Sequence, residues 1–128
     1  MPARIGVQVA TRGAPMPASK TPMERFEAIA NTLTANRIVA VGKIFGMPSL
    51  IAHRKAFAGL YDAAMVFKLS GKEHARALAL SGARLFDPSR RGRPMKSWVE
   101  VPAAHAERWT ALAKQAYNLA ESEHRRAR

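Results

Sequence analysis

Apolar residues between Gly42 and Leu69 occur in short runs that polar residues interrupt. The runs are Ile44–Phe45 with Leu50–Ile51, Ala56–Tyr61 and Ala64–Leu69, and the interruptions are His53–Lys55 and Asp62–Ala63. Two turns this close together in the chain predict three strands folded into an antiparallel meander. Pro48 cannot donate a hydrogen bond to a neighbouring strand, so the first strand is expected to be interrupted or to lie at an edge of the sheet.

The residues before this region have the pattern of an amphipathic helix. Thr21 can cap the helix through its hydroxyl, Pro22 suits the first helical position, and Glu24 completes a capping box. The apolar positions repeat at helical spacing and comprise Phe26, Ile29, Ala30 and Leu33. We predict a helix that begins at Thr21 and ends at Asn36, because asparagine is common at helix ends.

Helix and strand patterns alternate after the meander. Ser70 and Glu73 form a second capping-box pattern, which predicts a short helix through about Leu80. Two further strands are predicted at Ala83–Phe86 and Ser97–Val101. In the second of these strands, the alternation of side chains places the two valines on the opposite face from the tryptophan and the glutamate.

The last predicted helix begins at Pro102, because proline is tolerated in the first helical turn. Its apolar positions comprise Trp109, Leu112, Ala113, Ala116, Leu119 and Ala120, and the helix is expected to end in the charged residues from Glu121 onward. The elements therefore follow the order α-β-β-β-α-β-β-α. This order predicts an α+β domain in which helices pack on an antiparallel sheet of about five strands.

The chain is expected to form one domain with a tail at each end. Residues 1–20 contain prolines and glycines without a sustained period, which predicts a disordered tail or a non-native start. Residues 21–121 form the predicted folded domain, and residues 122–128 form a charged C-terminal tail. The sequence has no cysteine, no secretory signal pattern and no apolar run of about 20 residues, so we expect a cytoplasmic protein without a membrane span.

The formal net charge of +12 is the most unusual feature of the composition. Residues 37–96 alone carry +9, so the excess lies on the predicted sheet and its loops. A surface with this charge attracts polyanions. The alternative interpretation is a lineage-wide bias toward arginine and alanine that has no functional meaning.

Two basic clusters are candidate binding residues for nucleic acid or for a protein partner. Arg54 and Lys55 lie in a predicted hairpin turn, and the second cluster, in a later loop, comprises Arg90, Arg91, Arg93 and Lys96. Arginine suits phosphate because its planar guanidinium donates two parallel hydrogen bonds. Few aromatic residues lie between these cations, which favours weakly specific phosphate contact over base stacking. The alternative is that these side chains are solvated loop charges.

No catalytic or metal-binding constellation can be recognised in the sequence. The histidines lack ligand-like spacing and an evident paired acid; they are His53, His74, His105 and His124. The serines have the positions of helix caps and turns, and neither Gly-Lys pair has the flanking residues of a phosphate-binding loop. We therefore predict a protein that is not an enzyme and that has no cofactor and no metal site.

Several short motifs resemble the N-terminal domain of TfoX-like proteins. The matching segments are Phe45-Gly46-Met47, Lys55-Ala56-Phe57-Ala58, Met65-Val66-Phe67-Lys68 and Gly92-Arg93-Pro94-Met95, followed by Trp98, Glu100, Val101 and Pro102. The resemblance extends from about Phe26 to Tyr117, and it implies structural roles for Phe45, Gly46, Phe57, Lys68, Gly92, Pro94 and Trp98. The MmcQ/YjbR-like group, which has a similar helix-flanked sheet, is a related alternative.

The resemblance implies a non-enzymatic, transcription-linked module. The chain departs from the family at His53-Arg54-Lys55, which replaces a usual Asp-Gly-Lys turn, and at Met47-Pro48. Three roles follow as hypotheses. The first is a module that binds nucleic acid or a transcription-associated protein. The second is a homodimer or protein-interaction module that uses a sheet edge or residues 45–50, and the third is a small-ligand site or enzyme in a cleft between helices and sheet.

Overall fold

The structure is a computed structural model that describes residues 21–44, 46–88, 92 and 94–127. Its elements, in chain order, are α1 (Pro22–Leu33), β1 (Val39–Ile44), β2 (Met47–Ala52), β3 (Lys55–Tyr61), β4 (Ala64–Lys68), α2 (Gly71–Leu78), β5 (Arg84–Phe86), β6 (Met95–Pro102), a 3-10 helix (Ala103–Arg108) and α3 (Trp109–Ala127). All strand pairs are antiparallel, and the sheet has the order β1-β2-β3-β4-β6-β5. The predicted α+β class is confirmed, with six strands instead of about five.

The additional strand comes from the first part of the predicted meander. The prediction placed both apolar runs of this part in one interrupted strand, but they form two strands, β1 and β2. The two strands are antiparallel, and Ile44 pairs with Met47 next to the turn that joins them. Gly46, between them, has a φ of +76°, which glycine adopts without steric cost and which reverses the chain. Phe45 lies outside the described residues.

Pro48 lies in an inner strand, so the edge alternative is wrong for it, whereas the predicted interruption is present at the turn between β1 and β2. It pairs with Lys43 of β1 near the beginning of β2, and the pairing of β2 with β3 begins only at Ser49. A proline in a strand cannot supply one ladder hydrogen bond, because it has no N–H. The position tolerates it, because Pro48 is paired with β1 only and lies before the pairing of β2 with β3 begins.

Local capping explains the first helix but not the second. The Thr21 hydroxyl accepts a hydrogen bond from the Glu24 N–H at 3.1 Å, and the Glu24 carboxylate accepts one from the Thr21 N–H at 2.9 Å, which confirms the first capping box. The second is wrong, because the Ser70 side chain makes no capping bond. Gly71 follows it with a φ of +57°, outside the helical region, so the hydroxyl is not aligned with the first turn of α2.

The last helix, α3, differs from its prediction at both ends. Pro102 is the last residue of β6, and the 3-10 helix separates it from the start of α3. The helix then continues to Ala127, past Glu121, so its predicted end is wrong. Contacts of the last turns of α3 with the sheet, described below, hold the polar residues from Glu121 onward in the helix.

The helices pack on one face of the sheet, which we call the helix face. Val99 and Val101 lie on it, whereas Trp98 belongs to a smaller apolar cluster on the other face, as the alternation predicted. The register between β2 and β3 shifts at Phe57, which is an extra residue between Ala56 and Ala58. This bulge lets Phe57 join the core, where its ring and the Tyr117 ring form a T-shaped contact with a centroid distance of 5.8 Å.

Candidate nucleic-acid interface

The sheet register gathers several basic segments at one end of the sheet. Ala52 of β2 pairs with Lys55 of β3, and Lys68 of β4 pairs with Trp98 of β6. Antiparallel neighbours therefore place the turn between β2 and β3, the last residue of β4 and the start of β6 at the same end. We call this region the basic end and define its exposed cations as Arg37, Arg54, Lys55, Lys96, Arg125 and Arg126.

Three of the predicted candidate residues lie at the basic end. The side chains of Arg54 and Lys55 are exposed in the turn between β2 and β3, and Lys96 is exposed at the start of β6. The other candidates, Arg90, Arg91 and Arg93, lie outside the described residues.

Sequence reasoning missed the cations that the last helix brings to this end. Arg125 and Arg126 lie in the final turn of α3, which the prediction assigned to a tail. Arg37, which the prediction also left out, precedes β1 and lies at this end of the sheet. Its neighbour Asn36 is connected to α3, because the Asn36 side-chain N–H donates to the Tyr117 hydroxyl at 2.8 Å. The helical spacing of Ala116, Ala120 and Ala127 would have been the available sign of a longer helix.

A chain of hydrogen bonds connects α3 to the turn between β2 and β3. The Tyr117 hydroxyl donates to Glu121 Oε2 at 2.8 Å, and the second carboxylate oxygen of Glu121 contacts His53 Nε2. The prediction that no histidine has a paired acid is therefore wrong for His53. The two residues are 68 positions apart in sequence, so no local spacing could indicate the pair.

A second set of contacts lies beside this chain. The His53 and His124 rings stack with centroids 3.7 Å apart and an interplanar angle of 5°. Lys68 Nζ lies 3.3 Å from Glu123 Oε1. A cavity of about 170 Å³ lies beside these contacts. It is lined by the side chains of Lys68 and Lys55 and by the last two turns of α3. The contacts fix the end of α3, and with it Arg125 and Arg126, next to the turn that carries Arg54.

The turn between β2 and β3 has an unfavourable backbone conformation. His53 has a φ of +52° and Arg54 a φ of +69°, in the left-handed region that favours glycine. Two-residue hairpin turns with positive φ at both positions usually contain Asn-Gly or Asp-Gly. Strain of this kind persists where the surroundings hold the residue, and it is concentrated at functional sites. Glu121 and His124 hold His53 here, while the Arg54 side chain remains exposed.

The contact between Glu121 and the turn depends on the protonation state of the Glu121 carboxylate. The hydrogen bond from Tyr117, followed by that from His53, holds the pKa of Glu121 below its ordinary value of 4.5. Burial, followed by the hydrogen bond to Glu121, raises the pKa of Tyr117. A carboxylate with a lowered pKa in the folded state stabilises the fold above its unfolded pKa, and this contribution is lost as the pH falls through the folded value.

We expect Glu121→Gln to lower the stability of the protein at neutral pH and to remove part of its acid sensitivity. Chemical denaturation from pH 7 to pH 3 should show the difference between wild type and variant shrinking below about pH 4.5. Glu107→Gln, which removes an exposed carboxylate from the 3-10 helix, is the matched control. A constant difference between Glu121→Gln and wild type across this range would contradict the assignment.

The residues with family-implied structural roles occupy different environments. Phe57 and Trp98 are buried, Gly46 forms the turn between β1 and β2, and Lys68 ends β4. Gly92 has a φ of +75°, and its N–H donates to Asp87 Oδ2 at 3.0 Å in the loop before Pro94. Among these positions, only Lys68 belongs to the contacts around the basic end.

The remaining histidines have structural partners. His74 Nε2 lies 2.8 Å from the Lys96 carbonyl oxygen, and His105 Nε2 lies 2.8 Å from the Ser81 carbonyl oxygen. Within the described part of the chain, no group of three or more histidine or acidic side chains could hold a metal ion. None of the described helices is long and apolar enough to cross a membrane.

Comparison of the chain with protein-family models, with curated proteins and with solved structures found no match. The resemblance to the TfoX N-terminal domain therefore stays a prediction that rests on the motifs themselves.

Proposed function

We propose that this protein is a non-enzymatic module that binds the phosphate backbone of nucleic acid through its basic end. The observation that carries the proposal is the convergence of two distant segments, the turn with Arg54 and Lys55 and the end of α3 with Arg125 and Arg126. Exposed guanidinium groups from both segments present paired donors to phosphate oxygens. Lysine and arginine that neutralise phosphates release counterions, which favours binding.

The composition of the basic end supports phosphate contact rather than base recognition. The rings of His53 and His124 stack on each other, and Tyr117 is engaged by Glu121 and Asn36. The two histidine rings therefore face each other, whereas single-stranded binding surfaces offer free aromatic faces to bases. The expected mode is weakly specific binding to a duplex, with the protein acting as a cytoplasmic, transcription-linked module of the TfoX N-terminal type.

The test is a titration of fluorescent duplex DNA with the full chain at several salt concentrations. Four or five cations of the basic end in contact with phosphates predict a slope of log K against log salt of about −4, at roughly 0.9 per contact. A matched titration with a neutral polysaccharide controls for non-electrostatic adhesion. Absence of binding at about 50 mM salt, or binding that does not change with salt, would overturn the proposal.

A further inference from the structure

The two edges of the sheet differ in length and in protection. The β5 edge has three residues, a register shift between Leu85 and Phe86, and an ion pair between Arg84 and Glu100 at 3.3 Å. The β1 edge has six residues, of which only Lys43 is charged. Natural proteins protect edges with short strands, bulges and charges. The β5 edge has these protections, and the β1 edge largely lacks them.

The outer side of β1 offers both backbone groups and apolar side chains. The Val39 N–H points to this side and is already bonded, because it donates to the Asn36 carbonyl at 3.0 Å, outside the β1–β2 ladder. Residues two apart in a strand direct their backbone groups to the same side, so those of Val41 and Lys43 also point away from β2. Val41 is 53% exposed and Ile38 is 43% exposed, although both are large hydrophobic residues.

We propose that β1 pairs antiparallel with β1 of a second copy of the chain, about a two-fold axis at Val41. The register follows from the side chains. Val41 then faces its own copy and Ile38 faces Ile44, so apolar residues meet on both faces of the joined sheet. Lys43 faces Val39, and no like charges lie directly opposite each other.

Two other registers would also keep the helix faces of both chains on the same side of the joined sheet, but both are less favourable than the pairing centred on Val41. A pairing centred on Ala40 places Arg37 opposite Lys43, which brings like charges together. A pairing centred on Gly42 loses the contact between Ile38 and Ile44. The strand is therefore self-complementary in one register. A second copy is favoured over an unrelated peptide because the same strand supplies both the apolar residues and their partners.

Dimerisation through β1 is independent of nucleic-acid binding at the basic end. A two-fold axis through β1 directs the basic ends of the two chains in opposite directions, since β1 begins at the basic end and runs away from it. Each basic end then remains accessible in the dimer. Nucleic-acid binding and dimerisation can therefore fail separately, and each has its own test.

The absence of cysteine from the sequence makes a cross-linking test simple. Val41→Cys places two thiols opposite each other in a hydrogen-bonded antiparallel pair, with a Cα separation of about 5.5 Å, which a disulfide can bridge. Mild oxidation at micromolar concentration should give a covalent dimer that urea does not dissociate. Ala111→Cys, an exposed position on α3, is the matched control and should remain monomeric under the same conditions.

Light scattering over a concentration series tests the same dimer without a cross-link. Val41→Lys should raise the dimer dissociation constant about tenfold or more, because it places lysines opposite each other on an edge strand. Ala111→Lys adds the same charge at a distant exposed site and should leave the constant unchanged. Circular dichroism checks that both variants are folded. A wild-type protein that stays monomeric to millimolar concentration, or equal cross-linking of both cysteine variants, would overturn the proposal.

Discussion

Arg54→Ala combined with Lys55→Ala is expected to weaken duplex-DNA binding about 60-fold at 0.1 M salt. Each phosphate contact contributes roughly 0.9 to the salt slope, so it strengthens binding about eightfold at 0.1 M relative to 1 M, and two contacts multiply. The slope itself should fall in magnitude by about 1.8. Both residues are exposed, so the loss of affinity should come without a loss of fold.

The matched control removes the same charge from another part of the surface. Arg108 and Lys114 are exposed, and Lys114 lies roughly 16 Å from Arg125 along α3 at 1.5 Å per residue. Their double alanine variant keeps the same net charge as the first variant. If both pairs weaken binding equally, the net charge of the protein drives the interaction, and the basic end has no special role.

Arg54→Gly is expected to make the protein more stable and a poorer binder at the same time. Glycine adopts the φ of +69° without the steric cost that a side chain incurs, which is about 1 kcal/mol. Denaturation should therefore show a gain of about that size. Binding should weaken about eightfold at 0.1 M salt through the loss of one phosphate contact.

Two variants separate the backbone effect from the charge effect. Asp62→Gly relieves a φ of +54° in the turn between β3 and β4, at the other end of the sheet, and should stabilise the protein without weakening binding. Arg54→Lys keeps the charge and the strain, so it should retain most of the affinity with unchanged stability. If Arg54→Gly lowers stability, or leaves binding intact, the strained arginine does not serve binding.

Opposite changes in stability and affinity at one position are the expected sign of a functional compromise. A turn selected for stability alone would carry glycine or asparagine at the left-handed positions. Here Arg54 occupies such a position, and the contacts of His53 with Glu121 and His124 hold the turn in place. Strained residues that a surrounding network supports tend to be retained for what they do.

Local features predicted much of the fold. The first helix depends on a capping box and an apolar stripe that lie within a few residues of each other, so its start was predicted correctly. The strands follow from alternation and turn residues. The extra strand was missed because Pro48 favoured a broken edge strand, although pairing on one side only makes that position acceptable.

Features that depend on distant contacts could not be predicted in the same way. Arg54 and Lys55 were identified from turn chemistry alone. Arg125 and Arg126 were missed because the end of α3 is polar, and its order comes from contacts of Glu121 and Glu123 with strand residues far away in sequence. A single sequence shows the partners but not that they meet.

The short β5 strand has a consequence for how large an assembly can become. A sheet with two open edges could add chains on both sides and grow into a fibre, as happens when an interface does not close on itself. Once β1 is paired, the remaining edge has three residues and a register shift, too little to template another strand. In the proposed dimer, growth by strand addition would therefore end at two chains, because the β1 surface that could promote aggregation is buried in a closed pair.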